Sequence, residues 1–269
     1  MDISIDDDQA MLRETALAFA QEALTPAAIR ALEATEHGFD AKVWRQMAEI
    51  THPEHVGHLD PEPRIIPSTS IDDMIRIGEV FAAAVDAKSP WTTNHSTRTA
   101  ALARLMAETM NFTPIEQDRV GLAGLLHDLG KLAISNAILD KAGPLLPEEM
   151  EEMQRHTSIT HDILAPLWPL DDVAEMAASH HERLDGSGYH RRLRGPELAH
   201  GADVLAVADV YEALTAHRSY RRGMDADEAV RELKKEQGKR LAAEPIAAIE
   251  QMVACRRADE GEAGTVSPT

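Results

Sequence analysis

Imidazole and carboxylate side chains, which readily bind divalent metals, recur along one stretch of this chain. The candidate ligands are His95, His127, Asp128, His156, His180, His181 and Asp209. A bound cation lowers the pKa of its water enough to supply hydroxide near neutral pH, and it stabilises charge on a phosphoryl oxygen. A set of this size can hold two metals, so the sequence indicates a dinuclear metal centre.

The segment that begins at His127 concentrates three polar groups. His127 and Lys131 are predicted to share a helix face, with Asp128 about 100° round the axis at the helix end. Leucines on both sides would bury this trio, and buried polar groups need partners. A hydrogen bond between His127 and Asp128 alone is one alternative. The recurrence of similar groups elsewhere in the chain favours metal.

The remaining ligands fit the same interpretation. His180 and His181 are adjacent, so both would reach one metal only from a helix end. Asp209 lies in the apolar run 205–210, where an unpaired carboxylate would be costly. Mixed histidine and carboxylate ligation suits transition metals better than magnesium or calcium. Iron, manganese and zinc are the predicted metals, and the ligand types do not choose among the three.

Helices are predicted to position these ligands. Aromatic residues make up only 4% of the chain, while Ala, Leu and Glu, which lose little freedom in a helix, are frequent. The predicted fold class is therefore all-α. Helical periodicity and helix-start signals cover Ile71–Val85, Ser96–Met110, Glu116–Leu126, a helix from Glu148, the apolar stretch from Pro196 to His217, Ala226–Lys235 and Pro245–Val253.

Turn signals divide the chain into four parts. Residues 1–50 are predicted to form a small helical N-terminal region, and the prolines of residues 51–70 indicate a linker. Residues 71–255 form the ligand-bearing domain, and residues 256–269 a flexible tail. The linker histidines His52, His55 and His58 are assigned to a solvated loop, because a proline-broken backbone offers no rigid face for a metal.

Charge and cysteine content limit the partners. A formal net charge of −19 argues against polymeric nucleic acid and anionic membranes, which both require a basic face. The single Cys255, expected on a helix surface or packed, excludes an internal disulfide and fits the cytoplasm. Without a basic leader or a run of about 20 apolar residues, neither export nor membrane insertion is expected. Binding of small anions is compatible with this net charge, because arginines cluster near residues 191–194 and 218–222.

Residues 71 to about 250 resemble the HD-GYP phosphodiesterases, a branch of the HD phosphohydrolase superfamily. The motifs that carry the resemblance are His95–Arg98, Leu126–Lys131, Ile138–Lys141, His156, His180–Tyr189, Ala208–Leu214 and Arg218–Arg221. The resemblance implies an HD-GYP helical bundle and a bacterial signalling enzyme. Its substrate would be a cyclic dinucleotide, chiefly cyclic di-GMP, hydrolysed to pGpG, GMP or both.

The same resemblance implies roles for individual residues. One metal would be held by His95, His127, Asp128 and Asp209, and the other by His156, His180 and His181, with Asp128 bridging the two. A metal-bridging hydroxide would attack phosphorus, with Asp128 and Lys131 as the catalytic residues. Substrate contacts would come from Asp185, Gly188, Tyr189, Arg218 and Arg221.

The chain departs from the HD-GYP pattern at two positions. Some members bind a third metal through a glutamate that is replaced here by Trp91, so two metals are predicted. The signature Gly-Tyr-Pro ends in His190, and losing proline frees a backbone angle and adds an amide donor. His190 is predicted to be an exposed loop residue, with a phosphate contact as the alternative. Tyr189 is expected either to stack on a guanine or to anchor the loop.

The N-terminal region has a weaker resemblance to the opening helices of acyl-CoA dehydrogenases. Those helices carry no flavin site or catalytic base, so residues 1–50 are predicted to pack or dimerise. For the whole chain, alternatives to a cyclic di-GMP phosphodiesterase are a phosphohydrolase of another nucleotide, such as 3′,3′-cyclic GMP-AMP, and a non-catalytic module that senses cyclic dinucleotides or engages signalling partners. Retention of all the ligands favours catalysis.

Overall fold

The computed structural model describes residues 70–89, 94–167, 170–217 and 222–263. Within these ranges the chain forms α-helices joined by turns and two short 3₁₀ segments, Leu129–Ala133 and Gly195–Glu197, without a β-strand. In chain order the helices are α1 (Ile71–Lys88), α2 (His95–Thr109), α3 (Pro114–Leu126), α4 (Asn136–Leu139), α5 (Pro147–Leu164), α6 (Asp171–Ala178), α7 (His200–Thr215), α8 (Ala226–Glu236) and α9 (Ala243–Ala263). The all-α prediction is confirmed.

Capping side chains determine where the first helices of the core begin. Ser70 and Asp73 form a reciprocal capping box at the start of α1. Thr113 and Glu116 do the same for α3, which also has Pro114 in its first turn. These groups satisfy backbone amides that have no partner inside the helix. The two helices are therefore specified locally before they pack.

Helix α3 is the centre of the bundle. It contacts α1, α2, α6 and α7, and all of its residues from Val120 to Leu126 are buried. A Cβ atom on Gly124 would lie 2.6 Å from Cα of Ala100, so α3 and α2 approach at backbone distance. The C-terminal end of α3, where His127 follows, is thereby held deep in the core.

Most predicted helices occur within a few residues of their expected bounds, with two differences. Helices α4 and α6 were not predicted, because their four and eight residues are too few to show a clear period. Helix α9 continues to Ala263, beyond the predicted helix end at Val253, and the flexibility of residues 256–269 stays a prediction. Residues 256–263 are rich in alanine, arginine and glutamate, which favour helix.

Several expectations fall outside the described residues. They concern residues 1–50, nearly all of the linker, Trp91, Arg218 and Arg221. Cys255 is exposed on α9, as one of its two predicted states requires. Across the part of the chain that the structure describes, every helix is too short or too polar to cross a bilayer.

Candidate metal centre

All seven predicted ligands lie together at the middle of the bundle. His95 is the first residue of α2, His127 and Asp128 follow α3, and Asp209 lies on α7. The other three come from α5 and from the turn after α6, and they are His156, His180 and His181. All are buried except His181, whose side chain is 22% exposed.

The turn after α3 brings its ligands against α5. Gly130 N–H donates to Thr160 Oγ1 at 2.9 Å, and that hydroxyl donates to the carbonyl of His127 at 3.1 Å. A Cβ atom on Gly130 would lie 2.0 Å from the carbonyl oxygen of His156. Glycine is therefore required for an approach this close, and the approach places Asp128 beside His156.

His127 and Lys131 do not share an α-helical face, contrary to the sequence prediction. Helix α3 ends at Leu126, and the 3₁₀ segment starts at Leu129. The tighter turn brings residues three apart together, and Lys131 Nζ donates to Asp128 Oδ2 at 2.6 Å. The two side chains still belong to one cluster, because Asp128 lies between them.

The carboxylate of Asp128 faces two groups of imidazoles. Its Oδ2 atom lies 3.3 Å from His127 Nε2 and 3.7 Å from His95 Nε2. Its Oδ1 atom lies 3.6 Å from His156 Nε2 and 3.8 Å from His180 Nε2. One carboxylate with an oxygen directed at each group has the form of a bridging ligand.

Each group could hold one cation. The first group comprises His95, His127 and Asp209, and the second comprises His156, His180 and His181, with ligand atoms within 4.8 Å of one another in each. In the first group, His95 Nε2 lies 3.2 Å from Asp209 Oδ1. In the second, the Nε2 atoms of His156 and His180 lie 3.5 Å apart.

Backbone hydrogen bonds orient three of the imidazoles toward the centre. The Nδ1 atoms of His127, His156 and His180 lie 2.7, 2.6 and 2.6 Å from the carbonyl oxygens three residues earlier. A carbonyl only accepts, so each Nδ1 carries the proton and each Nε2 presents a lone pair. This is the usual support for a metal-binding histidine.

The chemistry of these atoms fits a metal. The facing Nε2 lone pairs of His156 and His180 would repel each other unless a cation lay between them. His127 Nε2 and Asp128 Oδ1 are buried and have no hydrogen-bond partner within the described ranges. An orphaned buried polar atom is costly. Divalent cations at the two groups would satisfy all four atoms.

Burial and neighbouring charges keep most of the ligands in their metal-binding protonation states. Burial lowers the pKa of His156 to about 4 and that of His181 to about 3. Burial alone would raise the pKa of Asp128, but the ammonium of Lys131 and other neighbouring charges hold that pKa well below its usual range. The pKa of Asp209 is likewise well below its usual range, because the bond to His95 outweighs burial. Neutral imidazoles and ionised carboxylates are the forms that ligate.

His95 is the exception among the imidazoles. Burial lowers its pKa, but hydrogen bonds to Asp209 and Glu212 outweigh burial and raise the pKa to about 10. Without a metal, His95 is therefore a cation held between two carboxylates. A metal at Nε2 would replace that proton with a larger positive charge.

The predicted substrate residues are only partly gathered at the centre. The ring of Tyr189 lies 4.6 Å from that of His181, centroid to centroid. Gly188 packs on the backbone, since a Cβ there would lie 2.4 Å from Cα of Glu182. Asp185 is exposed, and its Oδ1 accepts from Ser187 N–H at 2.9 Å, which stabilises the turn itself.

The loop at His190 has a backbone conformation that proline cannot adopt. The φ angle of His190 is 30°, whereas a proline ring holds φ near −65°. The departure from Gly-Tyr-Pro thus coincides with a loop path that the signature residue would exclude. His190 is exposed, as predicted, with its ring 6.3 Å from that of His161.

Glu182 connects this loop to the metal ligands. Its Oε1 accepts from the amides of Arg191 and Arg192 at 2.9 and 3.1 Å, and its Oε2 accepts from Leu193 N–H at 3.0 Å. The residue is 2% exposed and directly follows His181. The loop that carries Tyr189 is therefore fastened to the turn that carries two ligands.

Sequence reasoning missed the roles of Glu182 and Glu212. Glu212 lies three residues after Asp209 on α7, and its Oε2 is 2.5 Å from His95 Nδ1. Helical spacing from Asp209 within apolar sequence could have indicated that Glu212 faces the centre. For Glu182, nothing in the sequence indicates which amides its carboxylate would accept from.

Comparisons with known proteins agree with this fold. A family model described as an HD domain matches residues 79–244. The chain is 40% identical over 179 residues to the 3′3′-cGAMP-specific phosphodiesterase 3 of Vibrio cholerae, covering 66% of this chain and 38% of that protein. It is 35% identical over 182 residues to a cyclic di-GMP phosphodiesterase of Thermotoga maritima, covering 66% of this chain and 49% of that protein. The matches thus span less than half the length of these relatives.

A solved structure supports the fold assignment. The HDG"Y"P protein Bd1817 from Bdellovibrio bacteriovorus aligns over 92% of this chain and 81% of its own, with a TM-score of 0.53 and 14% sequence identity. At that identity the likeness concerns the fold alone. Together with the sequence relatives, it bears out the resemblance drawn from the motifs.

Proposed function

Because the chain belongs to the HD-domain family, we propose that it is a metal-dependent phosphodiesterase that hydrolyses a cyclic dinucleotide. Two bound divalent cations, iron or manganese with zinc as the alternative, would activate water and neutralise charge on the phosphoryl group. The names of the relatives support the reaction class. The buried clusters of histidine and aspartate support the cations.

The position of Asp128 is the observation that carries the proposal. Each of its oxygens faces a separate imidazole group at 3.3–3.8 Å. If Asp128 only formed a buried ion pair, one imidazole group beside it would be enough. A carboxylate shared between two groups supports a pair of adjacent cations, the arrangement that enzymes use for in-line displacement at phosphorus.

Lys131 and Tyr189 are the neighbours best placed to meet a substrate. Lys131 Nζ lies 2.6 Å from Asp128 Oδ2, and its side chain is 20% exposed. Its ammonium could therefore donate to a phosphate oxygen or to the leaving group. The ring of Tyr189, beside His181, offers a face on which a base could stack. Arg218 and Arg221 stay predicted phosphate contacts.

Cyclic di-GMP, cleaved to pGpG, GMP or both, is the first candidate substrate. 3′,3′-Cyclic GMP-AMP is the alternative, because the relatives include one named for that substrate at 40% identity and one named for cyclic di-GMP at 35% identity. We leave the choice between these two substrates open, because the backbone path of the His190 loop departs from that of a proline-containing loop.

The test is anaerobic purification of the full chain with metal analysis and chromatographic assay of both cyclic dinucleotides. We expect two metals per chain and turnover of at least one substrate. Asp128→Asn removes the shared negative charge and should lower kcat by at least about 100-fold, because both cations lose a ligand. Folding of the variant is checked by circular dichroism.

Two results would contradict the proposal. Wild-type activity in Asp128→Asn would mean that the reaction does not use this centre. Bound metals with no turnover of either substrate would favour the sensing module or another phosphoester.

A further inference from the structure

His95 is held differently from the other buried imidazoles of the centre. His127, His156 and His180 each use the carbonyl three residues earlier as the partner of Nδ1. His95 is the first residue of α2, so the carbonyl three residues earlier lies outside this helix. Its Nδ1 partner must come from another element.

That partner is Glu212 on α7. Its Oε2 lies 2.5 Å from His95 Nδ1, while Asp209, one turn earlier on α7, lies 3.2 Å from His95 Nε2. Residues three apart on a helix share a face. Helix α7 thus contacts both nitrogens of one imidazole, the inner one through a predicted metal ligand and the outer one through a second carboxylate.

We propose that Glu212 is a positioning residue that fixes the ring of His95 and makes it a stronger electron donor to one metal of the pair. The proposal rests on the metal centre of the proposed function. A carboxylate partner raises the basicity of a metal-binding imidazole more than a neutral carbonyl does. The two cations would therefore have unequal surroundings, with only the site at His95 and Asp209 dependent on Glu212.

Arg98 pairs with the other oxygen of Glu212. Its Nε and Nη2 atoms lie 2.7 and 2.5 Å from Glu212 Oε1. Glu212 is 5% exposed, whereas the side chain of Arg98 is 51% exposed. A buried carboxylate needs such partners, and both oxygens of Glu212 are used. Because the guanidinium lies at the outer end, Arg98 can be replaced without opening the core.

The test titrates Mn²⁺ into the metal-free full chain and compares wild type with Glu212→Gln. Glutamine keeps the size and an oxygen acceptor but removes the charge. We expect one of two Mn²⁺ sites to weaken by about 10–100-fold and the other by less than about threefold. Electron paramagnetic resonance reports the change, because a single bound Mn²⁺ gives a mononuclear spectrum and two adjacent ions give a coupled one.

The matched control is Asp118→Asn. This substitution removes a carboxylate that pairs with Arg104, another arginine of α2. The Asp118–Arg104 pair lies away from the predicted ligands. Both Mn²⁺ sites should keep their wild-type affinity. Equal weakening of both sites in Glu212→Gln would mean that the residue only supports folding, and unchanged affinity would mean that its charge does not reach the metal. Either result would overturn the inference.

Arg98→Met decides the matter if Glu212→Gln fails to fold. It leaves the carboxylate on His95 and removes the cation that offsets its charge, so the dependent site should bind Mn²⁺ at least as tightly as in wild type. Weaker binding would show that the Arg98–Glu212 pair only supports the local structure, which would contradict the inference. Failure of the wild type to bind two Mn²⁺ would overturn the metal centre itself, which separates the two outcomes.

Discussion

Burial changes the pKa of single side chains, and Asp203 is an example outside the metal centre. It lies in the first turn of α7, where burial and, to a smaller extent, Glu244 raise its pKa to about 6 against the opposing effect of His200. The folded chain therefore binds this proton more tightly than the unfolded chain. Between about pH 4 and pH 6, the contribution of Asp203 to stability falls as pH rises, and above that window the whole cost of burying its carboxylate is present.

We predict that Asp203→Asn stabilises the protein at pH 7.5 but not at pH 4. Asparagine cannot ionise, so it avoids a cost of about 1 kcal/mol after allowance for partial exposure. That corresponds to about 2–4 °C in Tm. Thermal melts at the two pH values measure the difference.

Asp172→Asn is the control of opposite sign. Burial raises the pKa of Asp172, but Arg119 outweighs burial and lowers it. Its contribution is therefore present above its unfolded pKa, near 4, and is lost as pH falls. The substitution should lower Tm at pH 7.5. The same shift for Asp203→Asn at pH 4 and pH 7.5 would refute the assignment of a raised pKa.

At the scale of elements, the 3₁₀ turn between α3 and α4 determines the geometry of the centre. It packs on α5 through Gly130, whose amide donates to Thr160. We predict that Gly130→Ala loses metal, because its Cβ would overlap the carbonyl of His156 at 2.0 Å. Forced repacking of this kind costs about 1–3 kcal/mol. Metal content and Tm of the purified variant provide the measurement.

Gly121→Ala on α3 is the matched control. Its Cβ would lie 3.5 Å from the Arg104 side chain, which is ordinary contact, and alanine favours helix over glycine. Metal content should be unchanged and Tm equal or slightly higher. Two tightly bound metals in Gly130→Ala would show that the turn can move without harm to the ligands.

The elements also show what sequence could and could not predict. Helices such as α1 follow from apolar periodicity, and a ligand such as Asp209 was predicted from its residue type in apolar sequence. The pairing of His95 with Glu212 joins residues 117 positions apart, which no local pattern encodes. The close contact at Gly130 likewise depends on a second helix. Local signals thus predict which side chains matter, and tertiary packing determines which atoms meet.

At the scale of the whole molecule, the centre joins helices from across the described sequence. Its ligands come from α2, α5, α7 and the segments after α3 and α6. These ligands are brought together only when the chain folds, so a cation binds the folded chain in preference to the unfolded chain. Binding therefore stabilises the native state by mass action.

We predict that removing the metals with a chelator lowers Tm. At a free metal concentration of about 100 times Kd, each site contributes about 2.7 kcal/mol, or roughly 5–10 °C for a domain of this size. Melts of wild type with increasing Mn²⁺ measure the shift. Asp128→Asn should respond much less, and equal responses of the two proteins would place the binding elsewhere.

Glu182 has a consequence for how substrate preference could change. Its carboxylate holds residues 191–193 through main-chain amides, which every amino acid except proline supplies. The side chains at 191–193 can therefore vary while the main-chain path of the loop stays in place. New recognition surfaces could be selected on this loop, by evolution or in the laboratory, without rebuilding the adjacent metal ligands.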